Sequence, residues 1–273
     1  MFKERSLNFS YNTKLLGVVG KNIHYTLSPY IHNFIFAENN IDAVYLAFDI
    51  DDRKFDRIIP GLLEIAYGVN VTIPYKERIM QYLDSLDVSA SIVEAVNTIK
   101  DRKGYNTDYI ALYNLIKKKM NFNIETCVIF GAGGAARAAI GALWENDCNE
   151  IEIINRSHER AEKLIQRLRS QDINVNVREG CNNLTKIDVL VNATPNPDMI
   201  PDECIKLSRG VIEFVYTPVE TSLIRKAKRY NIPIINGIEI LVKQAIEAEK
   251  IWFGINVEEE RVVNYLYARK LIR

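Results

Sequence analysis

The sequence predicts an α/β protein with mostly parallel sheets. Three observations carry this expectation. Short apolar runs with strand character recur along the whole chain, and segments of helical periodicity separate them almost one for one. The turn GAGG, residues 131–134, follows one such run directly and opens a helix. No internal repeat or low-complexity segment breaks the alternation.

The elements follow in order. KLLGVVG (14–20) reads as a strand. Ser28-Pro29 opens a helix, with the hydroxyl as cap and proline in the first turn. VYLAFDI (44–50) is a strand, and residues 52–66 are helical with a flaw at Pro60. GVNVT (68–72) is a strand, and a helix follows Pro74. AVNTIK (95–100) is a strand, and KGYN is a turn. From 109, YIALYNLIKKK forms a helix leading to TCVIF, a buried strand, and GAGGAARAAIGALW is a glycine turn running into a helix. EIEIINR (150–156) is the next strand and 157–169 the next helix; NVNVRE, DVLVNAT and GVIEFVY are further strands. Residues 221–230 form a helix, PIING a last short strand, and 238–270 are helical with a break near Gly254. A boundary near 108 gives two domains, 1–108 and 109–238, with 239–273 packing back on the first.

The 273 residues, 48% hydrophobic, suffice for two modest cores. Lys+Arg and Asp+Glu both count 35, so no net field gathers nucleic acid or anionic lipid. The run Lys117–Lys119 suits a helix C-terminus, where cations oppose the dipole's negative end. The four cysteines, Cys127, Cys148, Cys181 and Cys204, show no metal or redox spacing and read as reduced thiols of a cytoplasmic protein. His24, His32 and His158 have no metal spacing either, and His32 reads as a structural residue of its helix. The N-terminus lacks the apolar core of a signal peptide, and the longest small, apolar stretch, 127–144, contains Arg137 and four glycines, so it is no membrane span.

Four constellations carry chemistry. In GAGGAA, Gly131 permits a tight turn, Gly133 lets backbone N–H groups approach a pyrophosphate, and Ala136 allows close packing of helix on strand. A purely structural glycine turn is the other reading of that segment. The next strand ends in Asn155-Arg156-Ser157, with Arg160 one helical turn on. An acidic residue there would bond a ribose 2′-hydroxyl; arginines and a serine suit a 2′-phosphate, which favours NADP over NAD. Lys76 and Asp108 both follow strand ends, where open α/β sheets place ligands. Such a pair can move the proton that accompanies hydride transfer at an alcohol carbon, or can be an ordinary ion pair. Thr26, Ser28, Thr72, Asn97, Thr107 and Gln244 supply hydroxyls and amides able to grip a small polyhydroxylated acid, although each alone is a common cap or turn residue.

In this order the motifs resemble the shikimate dehydrogenase family over nearly the whole chain. TLSPYIHN (26–33) is similar to its S-x-S-P-x-x-H-N motif, and NVTIPYK (70–76) to its N-V-T-x-P-x-K motif. AVNTI, GYNTD, GAGGAAR, NRS with Arg160, VNAT (191–194), VYTP (215–218) and GIEILVKQA (237–245) fall where the family places them. The resemblance implies a substrate domain, a Rossmann-like NADP domain and C-terminal helices returning to the first. It implies reversible reduction of 3-dehydroshikimate to shikimate, in the pathway to the aromatic amino acids. By motif, Lys76 and Asp108 become the catalytic pair, and Thr26 and Ser28 hold the substrate carboxylate. Asn97, Asp108 and Gln244 hold ring hydroxyls, with Thr72 and Tyr216 in support. Gly131, Ala132, Gly133, Gly134, Ala135, Asn155, Arg156, Ser157, Arg160, Thr194 and Gly237 bind NADP. No metal, nucleic acid or membrane is implied, and the chain is expected as a monomer or homodimer.

Four positions depart from the pattern. Thr26 stands for a usual serine and Tyr25 for a usual histidine, PNPDM follows VNAT in place of a shorter glycine turn, and Ile240 replaces a methionine. A quinate or broad-specificity quinate/shikimate dehydrogenase using NAD or NADP is the enzymatic alternative. A nucleotide-binding regulatory protein without chemistry is the alternative of another class.

Overall fold

The structure, a computed structural model, describes residues 9–169 and 173–272. The chain divides into two compact units: one extends to Thr107 and takes in Val242–Ile272, and the other is Asp108–Leu241.

In the first unit the elements are β1 (Lys14–Gly20), α1 (Ser28–Glu38), β2 (Ala43–Asp49), α2 (Asp52–Ile65), β3 (Gly68–Val71), β4 (Ser85–Leu86), α3 (Val88–Val93), β5 (Thr98–Lys100) and β6 (Lys103–Tyr105). The sheet order is β2-β1-β3-β5-β6-β4. β1 pairs in parallel with both β2 and β3, while β5 and β6 return antiparallel. β1 lies inside the sheet, between β2 and β3, and both of its faces are covered. Val19 joins Phe55, Ile59, Val71 and Tyr75 on one side, and Leu16 and Val18 join Phe36, Tyr45 and Trp252 on the other. Phe55, Ile59, Leu62 and Leu63 are the buried residues of α2, at helical spacing, and the Asp51 carboxylate accepts the Arg53 N–H to start it. The helix continues through Pro60.

The second unit holds α4 (Thr107–Lys119), β7 (Thr126–Phe130), α5 (Gly134–Trp144), β8 (Glu150–Ile154), α6 (His158–Arg169), β9 (Val175–Val177), β10 (Ile187–Asn192), α7 (Asp202–Leu207), β11 (Ser208–Glu213), α8 (Ser222–Arg229) and β12 (Ile234–Ile235). Its sheet is wholly parallel, in the order β12-β11-β10-β7-β8-β9. This is the doubly wound order of a dinucleotide-binding sheet, and β7, where the order reverses, carries the glycine turn at its end. α9 (Gly237–Phe253) leads out of this unit, and α10 (Glu259–Ala268) closes the chain within the first.

Several expectations are corrected. Ser28 does not cap α1: Leu27 takes the N-cap position and no side chain caps the helix. After Pro74 there is only a 3-10 turn, Arg78–Tyr82. AVNTIK pairs only from Thr98, and KGYN is not a turn, because Lys103–Tyr105 is β6 of a hairpin whose bend is Asp101-Arg102, both at positive φ. The strand in GVIEFVY ends at Glu213. The reduced thiols are also overturned, since Cys127 is disulfide-bonded to Cys148 and Cys181 to Cys204. Cα separations of 6.8 and 5.5 Å lie within bridging range, and sequence separations of 21 and 23 hid both pairs from a search for close spacings.

Candidate active site

The segment after β3 shows why an apolar strand ends in Thr-x-Pro-x-Lys. Thr72 N–H donates to Val19 O, Ile73 O accepts from Lys21 N, and Lys76 O accepts from Val96 N, all between 2.8 and 3.1 Å. Tyr75 is buried, its ring stacks on Phe55 at 4.0 Å, and its hydroxyl donates to Ile50 O at 2.6 Å. Burial pushes that phenol up to about 12, so it stays a neutral donor. Every residue of the bend but Pro74 is thus hydrogen-bonded to its surroundings, and the half-buried Lys76 leaves a backbone that cannot drift.

Asn97 is the centre of a buried polar cluster. It is 3% exposed, and its Oδ1 accepts from Thr107 N at 2.7 Å and Thr98 Oγ1 at 3.0 Å. A backbone N–H can be met only by the amide oxygen, so the Asn97 NH₂ must point away from Thr107 as a donor. Thr107 Oγ1 lies 3.5 Å from Gln244 Oε1, which brings the α9 glutamine to the same cluster. Asp108 follows in the first turn of α4, where the helix dipole favours a carboxylate. Thr26 and Ser28 stand together, with Thr26 Oγ1 donating to Ser28 Oγ at 3.2 Å.

In the second unit Gly131 takes φ +114°, a conformation costly for other residues, and a side chain there would meet Ala193 O at 2.9 Å. Its N–H donates to Ile154 O, so the bend is tied to the end of β8. α5 starts at Gly134 with Gly133 as N-cap and no capping side chain. Its first N–H groups and the positive dipole end suit a phosphate. The Arg160 guanidinium lies 3.7 Å from where a Gly133 Cβ would stand. Arg156 and Ser157 are exposed at the end of β8, and Asn155 Nδ2 donates to Ser157 O at 2.8 Å to shape that turn. These residues fit a 2′-phosphorylated dinucleotide: a side-chain-free bend, an uncapped helix start and two guanidiniums, with no carboxylate at the ribose position.

Thr194 and Gly237 have different parts. The Thr194 methyl lies against the Gly131 bend, and its hydroxyl donates to Asn192 Oδ1 at 2.7 Å. Gly237 is required by close approach, since a Cβ would sit 2.5 Å from Val215 O, next to Tyr216. Behind both stands Glu213, which sequence reasoning missed. Its carboxylate accepts from Asn192 Nδ2 at 2.8 Å, Val215 N at 2.9 Å and Thr221 Oγ1 at 3.0 Å. Burial raises its pKa above the usual carboxylate value, against these donors. An ionisable residue inside an apolar strand, GVIEF, was the signal available. His32, read as structural, is buried and bonds Glu249 Oε1 through Nδ1 at 2.6 Å. Among the described residues no group of histidine, cysteine and carboxylate side chains could hold a metal, and no helix is long and apolar enough to cross a membrane.

A glycine bend at the reversal point of a parallel sheet, fronted by arginines, is suited to a phosphorylated dinucleotide, and a lysine on an immobile bend is suited to proton transfer. Together they define a dinucleotide-dependent dehydrogenase. Comparison with known proteins narrows the class. A family model described as the shikimate dehydrogenase substrate binding domain matches residues 18–99, and one described as shikimate / quinate 5-dehydrogenase matches residues 114–205. The chain is 58% identical over 266 residues to a shikimate dehydrogenase of Sulfurisphaera tokodaii, covering 97% of this chain and 99% of the relative. It is 56% identical over 264 residues to an NADP(+) shikimate dehydrogenase of Saccharolobus islandicus, covering 96% and 98%. A crystal structure of a shikimate dehydrogenase in complex with NADP+ superposes with a TM-score of 0.84 at 33% identity, over 96% of this chain and 97% of that one. The chain belongs to the shikimate dehydrogenase family.

Proposed function

We infer that the chain interconverts shikimate and 3-dehydroshikimate with NADP as the hydride carrier. The observation that carries this is the Thr72–Lys76 bend, held at each end by the sheet, within the segment that matches the family's substrate-binding domain. Oxidation removes a hydride from the carbon bearing the reacting hydroxyl and a proton from its oxygen. NADP held by the Gly131–Gly134 bend with Arg156 and Arg160 would supply the hydride acceptor. Lys76 handles the proton at that oxygen, with Asp108 as its acidic partner. Asn97 donates its NH₂ to a ring hydroxyl oxygen, because its own oxygen is occupied by Thr107 and Thr98. Gln244 and Thr72 add further polar contacts to the ring, and Thr26 and Ser28 offer hydroxyls to the carboxylate. The unit ending at Thr107 is read as the substrate domain, and Asp108–Leu241 as the cofactor domain.

Reduced-nicotinamide absorbance tests this directly. Purified protein is mixed with shikimate or quinate and with NADP+ or NAD+. Turnover fastest with shikimate and NADP+ is expected; a preference for quinate, or no turnover in any mixture, would overturn the reading. Lys76→Ala should lower turnover by about two to four decades. An unchanged rate would remove Lys76 from the mechanism.

A further inference from the structure

The parallel sheet of the second unit has two halves, and in its doubly wound order each half of a dinucleotide takes one. Arg156 and Arg160, the guanidiniums suited to a 2′-phosphate, follow β8, which places the adenosine half beyond β7, β8 and β9. The nicotinamide half then falls beyond the carboxyl ends of β10 and β11. Asn192 and Glu213 end those two strands as register partners, and both are fully buried. They join the two loops that leave the strands. Glu213 Oε1 accepts from Asn192 Nδ2 at 2.8 Å and from Val215 N at 2.9 Å. Sheet pairing carries the loop after β11 only as far as Phe214, whose N–H donates to Asn192 O at 3.1 Å. Val215 is the first residue past that point, and its N–H turns to the Glu213 side chain. Val215 O then packs so close to Gly237 that a Cβ there would stand 2.5 Å away. On β10, Asn192 Oδ1 accepts from Thr194 N at 3.1 Å and from Thr194 Oγ1 at 2.7 Å. Glu213 Oε2 accepts from Thr221 Oγ1 at 3.0 Å, which ties in the N-cap of α8. Three donors thus converge on one side chain that, ionised, can only accept.

We propose that Glu213 is a positioning residue for the nicotinamide half of the cofactor: its carboxylate ties the loop at Val215 to Asn192, which holds the loop at Thr194. The inference rests on the cofactor reading above. Glu213 is fully buried and need not touch the cofactor, since it acts through the backbone of the loops. Its removal leaves Asn192 Nδ2, Val215 N and Thr221 Oγ1 without the acceptor they share, and an unmet buried donor costs more than a lost surface contact. The adenosine half keeps its own supports: Gly131 N still donates to Ile154 O, and Asn155 Nδ2 still donates to Ser157 O. All of these residues lie in the unit Asp108–Leu241, so the effect falls within cofactor binding and divides it in two.

The test is calorimetric titration, without substrate, of two ligands: NADP+ and adenosine 2′,5′-bisphosphate, which carries the 2′-phosphate end and no nicotinamide. Glu213→Ala should weaken NADP+ binding about 10-fold and leave the bisphosphate within about twofold. Glu213→Gln should restore NADP+ binding to within about threefold of wild type, because its amide oxygen still accepts from Asn192 and Val215 while its NH₂ donates to Thr221 Oγ1. Asn192→Ala breaks the same tie from β10 and should give the same split, so it carries the test if Glu213→Ala does not fold. Arg160→Ala, the control at the other half, should weaken both ligands alike. Equal weakening of both ligands in the Glu213 and Asn192 alanine variants, or unchanged NADP+ affinity in them, would overturn the positioning role and leave the cofactor reading standing. Wild-type protein that binds neither ligand would instead overturn the cofactor reading, and the role of Glu213 with it.

Discussion

Both disulfides lie in the unit Asp108–Leu241, and the other unit contains no cysteine. Their removal should therefore weaken one half of the molecule selectively. The loops they close, with separations of 21 and 23, do not overlap, because Cys148 precedes Cys181. Their effects on the unfolded chain therefore add. Loops of this length restrict the unfolded state by about 3 kcal/mol each, so both together contribute about 6 to 7 kcal/mol. For a unit of this size that corresponds to a fall in melting temperature on the order of 20 °C. All four cysteines are at most 2% exposed, so a reductant reaches them only after the unit opens. The protein should accordingly be unfolded and reduced in denaturant, refolded with reductant present, and compared with untreated protein by calorimetry with and without NADP+. Alkylation of denatured, unreduced protein should label no thiol. Four labelled thiols, or a reduced protein that melts at the same temperature, would refute the reasoning.

Replacing Arg156 and Arg160 with alanine removes two charge-assisted contacts and should raise KM for NADP+ by roughly one to two decades per residue while leaving NAD+ within about threefold; an equal loss with both cofactors would disconnect them from the 2′-phosphate. Gly131→Ala should destabilise the cofactor unit by about 1 to 3 kcal/mol, since φ is +114° and Ala193 O stands 2.9 Å from the new carbon, and NADP+ affinity measured by titration should fall while KM for shikimate holds. Asp188, fully buried, is pushed up by burial, but the N–H groups of Glu125 and Thr126, with Lys186 and Arg209, outweigh this and hold its carboxyl below the usual range. A lowered folded pKa gives stability that is complete above the unfolded value and is lost as pH falls through the folded one. Asp188→Asn should therefore cost about 3 kcal/mol near neutrality and flatten the acid limb of the unfolding curve, as followed by circular dichroism against pH.

The strands most plainly legible in the sequence were those buried on both faces, although the edge strands β2, β9 and β12 were read as well. TCVIF and IDVLVN carry the apolar runs CVIF and VLV because β7 and β10 lie inside a parallel sheet. The elements that escaped, β4, α3, β6 and α7, have 2, 6, 3 and 6 residues, too few for any periodicity to register. Ser28 was misread as a cap because the helix already includes it: Leu27 takes the N-cap position, and the Ser28 hydroxyl accepts from Thr26 instead of from a helix N–H. The catalytic and phosphate-binding candidates were visible because each sits in a fixed spacing after a strand. The residues that hold them were not, although they left a trace. Asn70, Asn192 and Glu213 are polar positions ending or interrupting the buried runs GVNV, VLVN and GVIE, and each is the last or next-to-last residue of its strand. A polar group on a strand buried on both faces must find a partner there. At a strand's carboxyl end, the partners within reach are the loops that carry the ligand-binding groups. Asn192 and Glu213 are direct register partners on β10 and β11 and are hydrogen-bonded to each other. Register is what turns two isolated polar letters into one clamp, and register is set by long-range pairing that no window of sequence contains.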